Sequence, residues 1–287
     1  MTDVTVPATV SVIGGGRMGA GIAQVFATAG AVVTIAESTR DAADAARDRV
    51  ATGLRRASEK GSLADDPDSI LGRLDTVTSI TELPGDSGLV IEAVPEDLAA
   101  KIQVLSIVEK IVEPTAVMAS NTSSLSITEL AAVLDHPERF LGMHFFNPVP
   151  ASLLVEIVRA PETAGAVIRD ALNWVHALGK SDVVVRDSPG FATSRLGVAL
   201  GLEAIRMLEE GVADAESIDR AMELGYRHPM GPLRSTDLVG LDVRLAIAEH
   251  LHTTLGERFR PPQLLRDKVA HSDLGRKTGQ GFFNWQS

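Results

Sequence analysis

The stretch Thr9–Gly19, TVSVIGGGRMG, decides the fold of this chain. Its first five residues are mostly β-branched and predict a strand, while residues 20–29 have helical composition. Between strand and helix, Gly14 permits a tight turn, Gly16 lets the backbone approach a pyrophosphate, and Gly19 lets helix and strand pack closely. Strand, glycine turn and helix in this order predict the first βα unit of a dinucleotide-binding sheet, with phosphates at the start of the helix.

A second predicted strand, residues 31–36, ends at Glu37. A carboxylate at this point is placed to accept hydrogen bonds from an adenosine ribose. The same charge would repel a 2'-phosphate, which favours NAD over NADP. Arg40 nearby argues in the other direction, and a surface acid without function at the strand end is the alternative. The candidate cofactor-binding residues of this segment are Gly14, Gly16, Met18, Gly19 and Glu37.

Length and charge limit the class of protein. A chain of 287 residues is long enough for one large or two ordinary domains, and the net charge of −11 opposes binding to nucleic acid. There are no cysteines, which excludes disulfides and thiolate chemistry. The first apolar run contains glycines and predicts neither a signal peptide nor a membrane span. We expect a cytoplasmic protein with no nucleic-acid or membrane partner.

An acidic protein that binds a phosphate-bearing ligand needs a local cluster of positive groups. Residues 41–60 have helical composition, and Arg49, Arg56 and Lys60 are seven and four residues apart, which places them on one helical face. The pattern fits a landing site for a ligand phosphate and equally fits a solvated face, because acidic residues are interleaved with the basic ones.

Polar residues follow two predicted strands. LVIEAV at 89–94 reads as a buried strand, after which Glu96 and Lys101 flank the start of a helix. Another strand, at 116–119, leads into SNTSS at 120–124. Ligands sit at strand ends in open α/β sheets, so these residues are candidates for a site. Helix capping is the alternative, and the absence of a GxSxG motif argues against a serine hydrolase.

The segment LGMHFFNPVPASLLVEI, residues 141–157, contains the strongest candidate for acid-base chemistry. Its prolines forbid a helix, and the residues after them alternate like a strand, so Glu156 can fold back beside His144. An imidazole titrates near neutral pH and can take a proton from an alcohol, while a carboxylate fixes its tautomer and stabilises the imidazolium. A structural histidine after an apolar strand is the alternative.

Strands alternate with helices up to the sequence Ser188-Pro189-Gly190, and only helices are predicted beyond it, over 191–209, 215–224 and 238–255. This pattern predicts an α/β fold: a Rossmann-type domain with a mostly parallel sheet over residues 1–188, and an all-α domain over 189–287. A helical part of this size can hardly bury its apolar faces alone, so we expect it to pack on the first domain or on a second subunit. No metal site is expected, because the histidines show no paired spacing.

Taken together, the chain resembles the L-3-hydroxyacyl-CoA dehydrogenase family, especially its short monofunctional bacterial 3-hydroxybutyryl-CoA dehydrogenases. The resemblance covers nearly the whole length. It is carried by VIGGGRMGAGIA, VIEAVPEDLAAK, ASNTSSL, LGMHFFNPVP with LVEIV, DSPGF, HPMGPLRSTDLVGLD and LGRKTGQGFF.

This resemblance implies an NAD domain, an acyl-CoA substrate and a homodimer formed through the helical domain. It also implies that His144 is the general base, that Glu156 is its partner, and that Ser123 hydrogen-bonds the reacting oxygen of the substrate. Lys60 matches a lysine that contacts coenzyme A. The residues on motif positions that contact NAD in the family are Glu96, Lys101, Asn147 and Lys277.

One position departs from the family pattern. Where the family has an asparagine that contacts the substrate near the thioester carbonyl, this chain has Ser194, which is shorter and offers one hydroxyl. Two other readings therefore stay open beside an L-3-hydroxyacyl-CoA dehydrogenase. One is a dehydrogenase of a free or aryl-substituted 3-hydroxy acid or its thioester, and the other is an NAD-binding protein without turnover.

Overall fold

The computed structural model describes residues 5–286, and the chain divides into two compact units, one that ends at Asp187 and one that begins at Ser188. The first unit is built on a single eight-stranded sheet. Its strands are β1 (Thr9–Ile13), β2 (Val32–Ala36), β3 (Leu74–Val77), β4 (Leu89–Glu92), β5 (Val117–Ser120), β6 (Phe140–Phe145), β7 (Leu154–Arg159) and β8 (Ser181–Arg186).

The strand order is β3-β2-β1-β4-β5-β6-β7-β8. The first six of these strands pair in parallel in the order found in dinucleotide-binding folds. β7 then runs antiparallel to β6, and β8 is parallel to β7. The predicted α/β class with a mostly parallel sheet is therefore confirmed.

Helices cover both faces of the central strands of the first unit, because β4, β5 and β6 are buried at every position. One core joins the sheet to the first, second and sixth helices and contains Phe26, Leu54, Phe145 and Val175. On the other side, the fourth helix contacts β4 and the fifth contacts β6 and β7. The helices are α1 (Arg17–Thr28), α2 (Arg40–Glu59), α3 (Pro67–Leu71), α4 (Leu98–Val108), α5 (Ile127–Ala131) and α6 (Gly165–Ala177).

Parallel pairing brings several loops to one edge of the sheet. Since β1, β4, β5 and β6 are neighbours that run in the same direction, the segments after each of them meet at their carboxyl ends. These segments are the glycine turn, residues 93–97, residues 121–126 and the end of β6 around His144. The fold thus gathers residues from four separate parts of the sequence into one area.

The second unit is helical, and its core contains Leu202, Leu233, Leu251 and Leu265. The prediction of one helix from 238 to 255 is wrong at its start, because Gly240 adopts a φ of 103° and separates two helices. No helix within residues 5–286 is both long enough and apolar enough to span a membrane. The helices are α7 (Thr193–Glu209), α8 (Ala215–Arg220), α9 (Pro232–Val239), α10 (Leu241–Leu255) and α11 (Gln263–Ala270), with a π-helical turn at Ala221–Gly225.

A buried carboxylate fixes the C-terminal segment of the second unit. Asp237, in α9, is 1% exposed and accepts hydrogen bonds from the backbone of Phe282 and Phe283 and from the indole of Trp285, at 2.8–2.9 Å. The Arg234 guanidinium lies 4.1 Å from the ring centroid of Phe283. Residues 282–285 are therefore held by polar contacts as well as by packing.

We expect Asp237→Ala to lower the free energy of unfolding by about 3 kcal/mol, because it leaves three donors without their charged acceptor. Asp273→Ala is the matched control. Among residues 5–286 the Asp273 carboxylate pairs with Lys268 alone, at 3.7 Å, and its loss should cost under about 1 kcal/mol. Urea unfolding followed by circular dichroism measures both. Equal midpoints for the two variants would show that Asp237 does not hold the segment.

Candidate active site

The glycine turn after β1 is shaped by close backbone contacts. A Cβ atom on Gly19 would lie 1.7 Å from the carbonyl oxygen of Gly14, and Gly14 itself has a φ of 90°. Both positions therefore exclude side chains for reasons internal to the fold. A Cβ atom on Gly16 would meet nothing within 4 Å. Gly16 thus leaves open space beside the backbone at the start of α1, where a phosphate can approach.

A cavity of about 930 Å³ extends from this turn across the ends of β1, β2 and β4. Gly14, Gly16, Met18 and Glu37 all line it. The Glu37 carboxylate accepts a hydrogen bond from the backbone N–H of Gly15 at 2.6 Å, which fixes it at the end of β2. The open backbone and a fixed carboxylate one strand away fit the pyrophosphate and ribose of a dinucleotide.

A buried ion pair lies beneath the same edge of the sheet. The Lys101 ammonium is 2.7 Å from Glu92, and the two residues are 1% and 0% exposed. Glu92 also accepts hydrogen bonds from Ser120 at 2.6 Å and from the backbone N–H of Val94 at 2.7 Å. Glu92 was not among the residues predicted from the sequence, although a glutamate inside the apolar run LVIEAV indicates a buried partner, since buried carboxylates are rarely unpaired.

Lys101 has three acceptors within the protein: Glu92, the Val94 carbonyl at 3.1 Å and the Glu96 carboxylate at 3.4 Å. Its ammonium is enclosed at the start of α4. Lys101 therefore joins the end of β4 to the loop that follows it. Direct contact of Lys101 with the cofactor stays a prediction.

The Glu96 carboxylate organises the loop after β5. Its Oε1 accepts hydrogen bonds from the Thr122 hydroxyl at 2.6 Å, from the Ser123 N–H at 2.9 Å and from the Ser124 N–H at 3.1 Å. Burial by itself would raise the pKa of Glu96, but the Thr122 hydroxyl, the charge of Lys101 and the loop N–H groups together lower it. Glu96 is thus held ionised, and it fixes the backbone that carries Ser123.

His144 and Glu156 form a buried pair at the end of β6. They are direct cross-strand neighbours in the β6–β7 ladder, so their side chains project from the same face. The distance from His144 Nδ1 to Glu156 Oε2 is 2.8 Å, with the two residues 7% and 0% exposed. The adjacent loop is tied to this strand, because the Phe145 N–H donates to Asn121 at 2.9 Å. A carboxylate at Nδ1 assigns the basic lone pair to Nε2.

A second cavity, of about 870 Å³, lies between α1, α2 and the turn after β6. Arg17, Arg49, Arg56 and Lys60 line it, with Asn147 on the turn. Arg49 also donates to the Gly15 carbonyl at 3.1 Å, which links this basic wall to the glycine turn. The three residues predicted to share a helical face therefore line one cavity.

Two predicted site residues lie in the second unit. Ser194 is half-buried in the first turn of α7, and the Lys277 ammonium is paired with Asp242 at 2.6 Å. Burial would raise the pKa of Asp242, but the hydrogen bond and the charge of Lys277 lower it. Within residues 5–286, no group of three or more histidines and carboxylates is arranged to hold a metal ion.

Gly19 and Gly16 have different roles in the turn, so alanine substitutions at the two positions should cause different defects. Gly19→Ala should lower stability by about 3 kcal/mol, because its methyl group collides with the Gly14 carbonyl. Gly16→Ala should keep the melting temperature but weaken NADH binding by about tenfold or more, since its methyl group occupies the space for the pyrophosphate. Thermal unfolding and NADH fluorescence titration test this, and undiminished NADH affinity in Gly16→Ala would contradict it.

The lowered pKa of Glu96 predicts a pH dependence of stability. Because this pKa is below its ordinary value of 4.5, the Glu96 contacts stabilise the folded state above about pH 4.5. The contribution is lost as the pH falls through the folded pKa. The melting temperature of Glu96→Gln should therefore be below that of the parent near pH 7, with a difference that shrinks under acid conditions. The exposed Glu162→Gln is the control, and a constant difference would refute the assignment.

Comparison with known proteins gives a consistent result over the whole chain. The family model for the 3-hydroxyacyl-CoA dehydrogenase NAD-binding domain matches residues 9–188, and the model for the C-terminal domain of the same family matches residues 190–285. The 3-hydroxybutyryl-CoA dehydrogenase of Mycobacterium tuberculosis is 43% identical over 282 residues, covering 96% of this chain and 98% of the relative.

Two further relatives agree. The mitochondrial hydroxyacyl-coenzyme A dehydrogenase of Sus scrofa is 37% identical, covering 96% of this chain and 91% of the relative. The crystal structure of (S)-3-hydroxybutyryl-CoA dehydrogenase from Ralstonia eutropha superimposes with a TM-score of 0.93 at 40% identity, covering 98% and 100% of the two chains. NAD as cofactor and the resemblance drawn from the sequence are thereby confirmed. The chain belongs to the 3-hydroxyacyl-CoA dehydrogenase family and is an NAD-dependent oxidoreductase.

Proposed function

We propose that this protein catalyses the reversible, NAD-dependent oxidation of a short-chain L-3-hydroxyacyl-CoA, such as 3-hydroxybutyryl-CoA, to the 3-ketoacyl-CoA. The observation that carries the proposal is the buried His144–Glu156 pair, at 2.8 Å, at the edge of an NAD-binding sheet. The substrate class follows the names of the relatives, which act on hydroxybutyryl- or hydroxyacyl-CoA. We infer cytoplasmic fatty acid metabolism, including β-oxidation, as the setting.

His144 is the general base in oxidation and the general acid in reduction. With the proton of Nδ1 held by Glu156, Nε2 takes the proton of the substrate hydroxyl. The imidazolium that forms is stabilised by the Glu156 carboxylate at 2.8 Å, so charge does not build up on a free alkoxide. Positioned acid-base catalysis of this kind contributes about 10² to 10⁴ in rate.

Ser123 orients the reacting oxygen of the substrate through its hydroxyl. Its backbone is fixed by Glu96, whose carboxylate is in turn held by Lys101. Polar contacts thus extend from the buried Glu92 through Lys101 and Glu96 to Ser123, and they position the Ser123 hydroxyl. In this scheme Glu92 and Lys101 act as positioning residues.

When bound, NAD would supply the acceptor for the hydride that leaves C3 of the substrate. On the protein side, Gly14, Gly16 and Met18 would line the pyrophosphate site, Gly19 would let α1 pack closely behind it, and Glu37 would bind the adenosine ribose. The carboxylate of Glu37 disfavours a 2'-phosphate, which supports NAD over NADP. The remaining residues that we assign to cofactor binding are Glu96, Lys101, Asn147 and Lys277.

Coenzyme A is supported by the basic cavity beside the glycine turn. Arg17, Arg49, Arg56 and Lys60 concentrate positive charge in a protein whose net charge is −11. Such a cluster attracts a coenzyme A thioester, which carries phosphates, more strongly than a free hydroxy acid, which carries none. We assign Lys60 to coenzyme A, and Ser194 to the substrate near the thioester.

We infer a homodimer formed through the helical domain, residues 189–287. Large apolar side chains are exposed on this unit, among them Leu196 at 70%, Leu224 at 74% and Tyr226 at 77%. Apolar side chains in such numbers are typical of a surface that a partner covers. A second copy of the chain is the partner we propose.

A dehydrogenase of a free or aryl-substituted 3-hydroxy acid or its thioester is the second candidate. Ser194 in place of the family's asparagine favours it, because a shorter side chain leaves more room near the acyl group. NADH oxidation with acetoacetyl-CoA, free acetoacetate and an aryl-substituted 3-ketoacyl-CoA separates the candidates. Turnover with acetoacetyl-CoA and NADH, and little with free acetoacetate or with NADPH, is the result we expect.

We expect His144→Ala to lower kcat by about 10² to 10⁴, because it removes the base. Glu156→Gln should lower kcat by a smaller factor, because it removes the charged partner of the base. NADH affinity should stay nearly unchanged in both variants. His176→Ala is the control, since His176 is exposed and contacts only Asp182 among the described residues. Parental kcat in both site variants, measured with acetoacetyl-CoA, would overturn the assignment.

A further inference from the structure

The sheet of the first unit ends at a strand that has a neighbour on one side only. β8 is the last strand in the sheet order, and among residues 5–286 it pairs with β7 alone. At its two ends, the N–H groups of Ser181 and Asp187 donate to carbonyls in and just before β7. Because N–H groups alternate in direction along a strand, those that point away from β7 belong to Asp182, Val184 and Arg186.

This outer edge of β8 is exposed and apolar at its centre. Val183 and Val184 are 40% and 41% exposed, and their side chains project from opposite faces of the strand. β8 contains no proline or glycine that would bend it. At the other edge of the sheet, β3 has only four residues and none of them is basic. Exposed edges of the β8 kind are templates for pairing with another chain.

The charges of β8 are arranged symmetrically about its centre. Asp182 lies two residues before Val184 and Arg186 lies two residues after it, so all three side chains project from one face. When two copies of this strand pair antiparallel about Val184, each Asp182 lies opposite the Arg186 of the other copy. An in-register parallel pair would instead bring equal charges together. The strand is therefore complementary to itself in the antiparallel direction.

The hydrogen-bonding directions of the backbone agree with the same register. The residues that would face each other are those whose N–H groups point outward, so each facing pair exchanges two hydrogen bonds, about six in all. Their charged side chains are accessible. Asp182 contacts His176 through Oδ1 at 2.7 Å and is still 24% exposed, and Arg186 is exposed with no ion pair among residues 5–286. Two separate features thus specify one alignment.

We propose that two copies of this chain associate through antiparallel β8–β8 pairing centred on Val184, which joins their sheets into one. This interface is additional to the dimer that we infer through the helical domain, and it does not depend on the proposed reaction. A single strand pair buries less than the roughly 1,200 Å² of a standard interface, so the association is weak and reversible.

Reversal of the charges tests the alignment, with sedimentation equilibrium of the full-length protein at increasing concentration as the measurement. Asp182→Arg and Arg186→Asp should each raise the dissociation constant by about 10- to 100-fold, because each places like charges opposite each other at two positions. The double variant should associate like the parent, since opposite charges face each other again. Asp170→Arg, the same charge change at an exposed position of α6, is the matched control and should leave the association unchanged.

A mixture of the two single variants separates the proposal from damage to the fold. Asp182→Arg has two arginines in β8 and Arg186→Asp has two aspartates, so each variant repels itself and attracts the other. We expect an equimolar mixture to regain the parental dissociation constant, with one copy of each variant in the β8 pair. A fluorescent label on one variant and sedimentation detected by its fluorescence measure this recovery.

A proline tests the backbone part of the pairing. Val184→Pro removes an N–H that points away from β7, so it should weaken the association and change the melting temperature little. This variant and Arg186→Asp decide the question if Asp182→Arg, which loses the His176 contact, does not fold.

Three results would overturn the proposal. They are an average mass that stays constant up to about 100 μM protein, parental association in both single variants, and parental association in Val184→Pro. Turnover of acetoacetyl-CoA is measured separately. Its absence in a protein that still self-associates through β8 would refute the proposed function alone.

Discussion

The buried ion pair between Glu92 and Lys101 is the interaction on which the functional edge of the sheet depends. It joins the end of β4 to the start of α4, and through Ser120 it also reaches β5. Removing one partner of such a pair leaves an uncompensated charge in the interior, at a cost of about 3–5 kcal/mol. The interior of the first unit therefore contains a paired charge at this place, and the pair supports the loop that carries Ser123.

From this pair the polar contacts continue outward in a fixed order. Lys101 contacts Glu96, and Glu96 binds the N–H groups of Ser123 and Ser124. His144 is held separately, by the register of β6 and β7, which places Glu156 directly opposite. The ion-pair network thus fixes the loop that carries Ser123, and the strand register independently fixes His144 beside Glu156. The proposed reaction uses both Ser123 and His144.

Much of this arrangement was predictable from local sequence. The glycine turn was recognisable because close backbone contacts tolerate only glycine at Gly14 and Gly19, and the confirmed sheet class followed from apolar strands alternating with helices. The break at Gly240 was not predicted, because a glycine between two helical segments does not reveal its φ. The pairing of Glu92 was not predicted, since it depends on side chains from other segments that surround the carboxylate.

The sequence alone therefore determined the class of fold, the cofactor and the family, because each depends on short motifs that can be recognised in the order of residues along the chain. Only the tertiary structure decided which charges are paired. Glu92 pairs with Lys101, nine residues away across a strand end, and Asp237 accepts hydrogen bonds from Phe282 and Phe283, 45 and 46 residues away. Burial and pairing arise from contacts between distant segments, and these contacts exist only once the chain has folded.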